Sequence, residues 1–300
     1  MFPIIPANSV TAISGNSEGI FGFGNEGGEY VPFTNLVSNT GVVASDITAT
    51  GTGRQWISAC EYGGDKGIFG FGYVRHGPVT AITNKVSNAG VVASDTAGVG
   101  TARMGLAGCG YGEDKGIFGF GYNTSSVTNK VSNVGVVAGD TAGVGTGRHY
   151  LAACEYGEDK GIFGFGDDGG APYTAVTNLV SNAGVVASDT AGVGTARRYP
   201  AACKYGGDKG IFGYGGDDPN TAITNKVSNA GVVASDTAGV GTARYGSAAC
   251  EYGPGKGIFG FGADPDKVSI TNLVSNTGVV GTDVTGVGTA RVILGGCSFN

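Results

Sequence analysis

The sequence predicts an all-β chain, a six-bladed β-propeller with four antiparallel strands per blade, and three observations predict it. The string GIFGFG, once GIFGYG, begins at Gly19, Gly67, Gly116, Gly161, Gly210 and Gly257, about 47 residues apart. Arg54, Arg103, Arg148, Arg197, Arg244 and Arg291 recur in the same step, as do Asp46, Asp95, Asp140, Asp189, Asp236 and Asp283 and a Thr-Asn pair. No segment carries a helical hydrophobic period, whereas each unit holds four short strand-like segments between turn signals. Such repetition is the sequence signature of twisted blades around a central axis.

Within the unit that begins at Arg54, the first segment RQWISACEYG ends in the turn cluster Gly63-Gly64-Asp65 and leads straight into KGIFGFGY, a hairpin. The first strand is small throughout around Ala59-Cys60 and its equivalents, which places it innermost, where six blades crowd. The alternating glycines of GIFGFG strip side chains from one strand face, so a neighbouring sheet can approach while the Phe rings fill space on the other. After a loop of changing length comes TAITNKVS, whose Lys85 is replaced by Leu36, Leu179 or Leu273 in other units. A position that accepts both Lys and Leu is half buried, nearer the rim. A tight turn, Asn88-Ala89-Gly90, then leads to the fourth segment VVASDT and back to the next Arg.

The last residues, RVILGGCSFN, begin a unit that never finishes, and the first GIFGFG has no good inner strand before it. The C-terminal strand therefore closes the N-terminal blade, which is formed by 13–53 plus 291–300; the other blades start near Arg54, Arg103, Arg148, Arg197 and Arg244. Residues 1–12 are left as an arm, with Phe2, Ile4 and Ile5 available to dock on a partner.

Composition narrows the function. Of 300 residues, 60 are Gly, yet 41% are hydrophobic and only 9 are Pro, which argues against both disorder and collagen. With 18 basic and 24 acidic residues and no basic block, nucleic acid is excluded as the expected partner. No apolar run is long enough for a membrane span, and the start MFPIIPANS lacks the features of a signal peptide, so a cytoplasmic or virion-associated location is expected.

The Arg before a small apolar strand, the aliphatic-aromatic pair with glycines in GIFGFG, and the polar strand returning to Arg resemble the kelch-like family of propellers across nearly the whole chain. FGFG stands where that family has adjacent glycines, and Trp56 is the single Trp. The Gly-aromatic-Gly strand has a weaker likeness to the regulator-of-chromosome-condensation propellers. The near-identity of the units is similar to tandem-repeat proteins of tailed phages and marine metagenomes.

Chemistry-bearing residues are read as structural first. Cys60, Cys109, Cys154, Cys203, Cys250 and Cys297 stand at equal positions in equal units and form no CxxC, so buried thiols filling space are expected rather than disulfides or a metal site. The Asp and Arg eight residues apart, such as Asp95 and Arg103, read as braces. Tyr62, Tyr111, Tyr156, Tyr205 and Tyr252 with Phe299 read as wedges between blades, with a sugar-stacking ring as the functional alternative. His76 and His149 lie in different registers and no nucleophile has a local base, so catalysis and cofactors are not expected. The copper oxidases built on kelch-like propellers resemble the chain in fold only.

The loop after GIFGFG varies where everything else repeats, which makes it the expected recognition surface. Its candidate binding residues are Tyr73, Arg75, His76, Tyr122, Asp167, Asp168, Tyr173, Asp217, Asp218, Asp264 and Asp266. The expected function is a non-catalytic scaffold that binds a protein or glycan through these loops. The alternative is an assembly component, such as a phage virion or tail protein, attached through its arm.

Overall fold

The computed structural model describes residues 17–123, 125–170, 172–216 and 219–299. Among them there is no helix; the chain is built of small antiparallel sheets, most of three strands. Each unit contributes an inner strand, a middle strand and an outer strand. Their ranges are Ser58–Tyr62, Lys66–Gly70 and Thr83–Val86 in the first complete unit. The later units follow with Ala107–Tyr111, Lys115–Gly121 and Ser125–Val131, then Ala152–Tyr156, Lys160–Gly164 and Thr177–Val180. Ala201–Tyr205, Lys209–Gly213 and Thr224–Val227 precede Ala248–Tyr252, Lys256–Gly260 and Thr271–Val274. The remaining sheet joins the two ends of the chain. Its inner strand is Gly295–Phe299, which pairs with Glu18–Gly22 in the register Ile20 to Cys297, and Phe33–Val37 lies outside.

The fourth strand of each unit is a correction to the sequence reading. In five units the segment after the tight turn touches the outer strand only at isolated bridges, such as Val86 with Val92 and Thr83 with Thr96. Between these two bridges three residues, Ala93, Ser94 and Asp95, oppose two, Asn84 and Lys85, so the segment bulges and regular pairing stops. Among the described residues, only Ile47–Thr48 forms a short fourth strand.

Among the described residues no hydrogen-bonded ladder joins one sheet to the next, but the six inner strands adjoin in sequence, and Gly295–Phe299 adjoins both Ala248–Tyr252 and Ser58–Tyr62. The packing that holds this cycle uses glycine twice per sheet. A Cβ at Gly67 would lie 2.5 Å from the Sγ of Cys297 in the preceding unit, and one at Gly70 would lie 3.0 Å from the Phe118 ring of the following unit. The same pair of contacts recurs at all six middle strands, so each sheet receives a thiol from one neighbour and a phenyl ring from the other. Phe69 and Phe71 are fully buried, but Phe71 does not continue the strand alternation: its φ is 64°, which ends the strand at Gly70. Its ring meets Phe118 edge-on at 5.3 Å. The six cysteines are free and buried, and burial pushes their thiols up.

The recurring Arg and Asp bind the sheets together through Asn and Thr, and Arg54 with Asp95 and Arg291 with Asp46 also pair directly, at 3.5 and 3.4 Å. Asp95 does not meet Arg103. It accepts hydrogen bonds from Asn84 Nδ2 at 2.8 Å and from the Thr52 hydroxyl and amide at 2.5 and 3.1 Å. Arg54, fully buried, donates to the Phe71 carbonyl at 3.0 Å and to Asn84 Oδ1 at 2.7 Å, and stacks on Phe23 of the preceding unit at 4.7 Å. The Asn-Asp-Thr link occurs in all six units, and the Arg stacks on a ring of the preceding unit in all six, on Phe in five and on Tyr214 for Arg244. Across the chain ends Thr289 donates to Asp46, and Arg291, stacked on Phe261, donates to the Phe23 carbonyl and to Asn35 Oδ1. Burial acts to raise the Asp95 carboxyl, but the Thr52 and Asn84 hydrogen bonds outweigh it and hold the group below its ordinary value.

Candidate functional site

The residues just after each repeated Arg form a collar around the mouth of a cavity bounded by all six inner strands. Trp56, Gly105, Tyr150, Tyr199, Gly246 and Ile293 occupy equivalent places there, all with φ between 51° and 65°. Each donates its N–H to the carbonyl of its counterpart in the preceding unit: Gly105 to Trp56 at 3.1 Å, Tyr150 to Gly105 at 2.7 Å, Tyr199 to Tyr150 at 2.8 Å, Gly246 to Tyr199 at 3.4 Å, Ile293 to Gly246 at 2.7 Å and Trp56 to Ile293 at 3.2 Å. Six hydrogen bonds thus run round the mouth and return to their start. This geometry requires the left-handed backbone, which glycine adopts freely and larger residues adopt at a cost of about 1–2 kcal/mol.

The collar aromatics are half-exposed and meet the variable loops. Tyr73 lies 6.1 Å from Trp56 and 5.9 Å from Tyr30, and Tyr122 lies 5.3 Å from the His149 ring, which itself packs on Tyr150 at 4.3 Å. Tyr150 stacks on Tyr199 at 4.3 Å, and Tyr199 reaches Tyr245 at 5.7 Å. Asp167 exchanges two backbone hydrogen bonds with His149, and its carboxylate stands 3.6 Å from His149 Nε2 and 3.7 Å from Arg198. The Arg198 guanidinium in turn lies over Tyr173 and Tyr199. Burial lowers the His149 pKa against the pull of Asp167, which leaves the ring neutral at neutral pH.

Four of the candidate binding residues, Tyr73, Tyr122, Asp167 and Tyr173, therefore gather on this face. Arg75 instead pairs with Glu29, and His76 stands exposed nearby in its own turn. Asp168 accepts from the Gly170 amide, Asp264 accepts from Asn220, and Asp266 is exposed. Asp217, Asp218 and the arm residues Phe2, Ile4 and Ile5 lie outside the described residues. The sequence reading missed Gln55, Trp56, Tyr150, Arg198, Tyr199 and Tyr245 as a group and took His149 for a stray histidine. Their signal was available: the two residues after each Arg read QW, MG, HY, RY, YG and VI in otherwise repeating units.

The opposite end of the cavity holds a second group the sequence reading passed over. Glu61, Gly110, Glu155, Lys204, Glu251 and Ser298 follow the six cysteines, and the first five of them line the cavity in turn. Lys204 bonds Glu155 at 3.1 Å, and Ser298 bonds the backbone of Glu251. Burial pushes the Glu251 carboxyl up to about 8 against the pull of Lys204, with Glu61 and Glu155 adding to the rise, and Glu61 is raised for the same leading reason. The space here is about 40 Å³, room for a few waters and too small for an organic ligand. The repeated tyrosines are closed off as well. Tyr62 is 4% exposed and its ring lies against Gly135 of the next unit, where a Cβ would come within 2.7 Å.

No protein-family model matches the chain, and no curated protein matches it either.

Proposed function

We propose that the six sheets are the blades of a kelch-like β-propeller, and that the chain is a non-catalytic scaffold that binds a protein or glycan partner on the collar face. The observation that carries this reading is the gathering on one face of what differs between units. The collar aromatics, the post-Arg side chains and four loop residues depart from the repeat and meet there, while the braces and wedges that make the fold are repeated. Rigid sheets carrying varied, half-exposed aromatic and polar groups are the usual arrangement for recognition.

A crosslinking pull-down from the native source tests the reading. Full-length chain is compared with a chain carrying Tyr150→Gly and Tyr199→Gly, and with one lacking residues 1–12. Capture that depends on the two tyrosines supports the collar face. Capture of a large assembly that depends only on the arm overturns it in favour of an assembly component such as a virion part.

A further inference from the structure

We infer that the aromatic run at the mouth is a track for a neutral oligosaccharide, an inference that rests on the collar being the binding face. Tyr30, Tyr73, Trp56, Tyr150, Tyr199 and Tyr245 form an unbroken series of ring contacts, 5.9, 6.1, 6.0, 4.3 and 5.7 Å between successive centroids. All six side chains remain half-exposed. A pyranose ring offers an apolar C–H face and a rim of hydroxyls, so a chain of sugars needs successive aromatic faces with oriented polar groups beside them. Each stacking contact is weak, and contacts along one chain add through effective concentration.

Two features separate this run from ordinary packing. Trp56, Tyr150 and Tyr199, like Ile293, hold the left-handed backbone at places where Gly105 and Gly246 serve the same collar without strain. Folding alone favours glycine there, and the large rings gain only partial burial in exchange. The polar groups beside the run are also fixed in orientation. Asn25 donates to Gln55 Oε1 at 2.9 Å, and Gln55 donates to the Tyr30 hydroxyl at 2.8 Å. The His149 ring, its side chain 11% exposed, packs against the Tyr122 and Tyr150 rings and keeps an Nδ1 without a hydrogen-bond partner.

Other ligand classes fit less well. The chain carries a net charge of -6, which disfavours a polyanion. A cation would meet the positive charge of the Arg198 guanidinium, which lies over Tyr173 at 5.0 Å beside the run.

Trp56, the single Trp of the chain, sits within the run and reports on it directly. Its fluorescence is followed while malto-, cello- and chito-oligosaccharides of increasing length are added to the full chain. The expected result is a saturable change with one series, tightening with oligosaccharide length. Tyr150→Gly or Tyr199→Gly, which keep the collar backbone, then weaken binding by about tenfold with the cooperative melt retained. A response that is equal in the variants overturns the track. Silence toward every series also overturns it; if the same two variants then lose a protein captured by the parent chain, the collar face stands with a protein partner, and if nothing is captured both readings fall.

Discussion

Glycine in this chain is a receptor for a neighbour's side chain as much as a turn former. Gly67 admits the Cys297 sulfur, and its added Cβ would overlap it at 2.5 Å. Gly67→Ala is expected to destabilise the fold by about 1–3 kcal/mol. Combining it with Cys297→Ala should recover part of that loss, and denaturant melts of the double-mutant cycle measure the coupling. The carboxylates at the closed end set the pH response. Glu251 is raised in the fold from 4.5 to about 8, so its contribution is present below the unfolded value and lost as pH rises through the folded one. The inter-unit aspartates are lowered from 3.8, so theirs is present above that value and lost as pH falls through the folded values. Thermal stability should therefore be greatest at about pH 5 and decline toward about pH 9. Glu251→Gln should flatten the alkaline decline, as melting curves across pH will show.

At the scale of elements, the middle strand is the best-held segment and the fourth segment the least. Ile68 and Phe69 are fully buried and paired on both sides, whereas Ala97, Gly98 and Val99 are exposed and follow the bulge. Hydrogen exchange should protect the amides of Ile68 and Phe69 to near global stability and leave those of Ala97 and Val99 fast. Comparable exchange in the two segments would mean that the fourth segment is paired as a regular strand. The bulge and the inward turn of Asp95 also blunt an edge that would otherwise be open to another chain.

For the whole molecule, closure depends on a contact between chain ends. Gly295–Phe299 supplies the inner strand for Glu18–Gly22, Arg291 donates to the Phe23 carbonyl at 2.8 Å, and Ile293 completes the collar. Deleting residues 291–300 removes a strand, a brace and a link of the collar together. Loss of a single cooperative unfolding transition is expected, and calorimetry checks it; an unchanged melt would mean that closure contributes nothing to cooperativity. These contacts span the chain, with separations such as 268 residues for Arg291 and Phe23.

The amino-acid sequence by itself determined the repeat, the all-β class, the strand that begins an unfinished unit and the buried roles of Cys60 and Tyr62, because each follows from local pattern and from equal residues having equal surroundings. It also marked Tyr73, Tyr122, Asp167 and Tyr173 through variation in one loop. Only the tertiary structure decided the partners. Asp95 turned to Asn84 and Thr52 rather than to Arg103, the fourth segment bulged instead of pairing, and Phe71 left the strand. Trp56, Tyr150 and Tyr199 came together from separate units because a left-handed turn after each Arg closes a hydrogen-bonded ring. No pattern within one unit encodes that ring, since every bond in it joins two units.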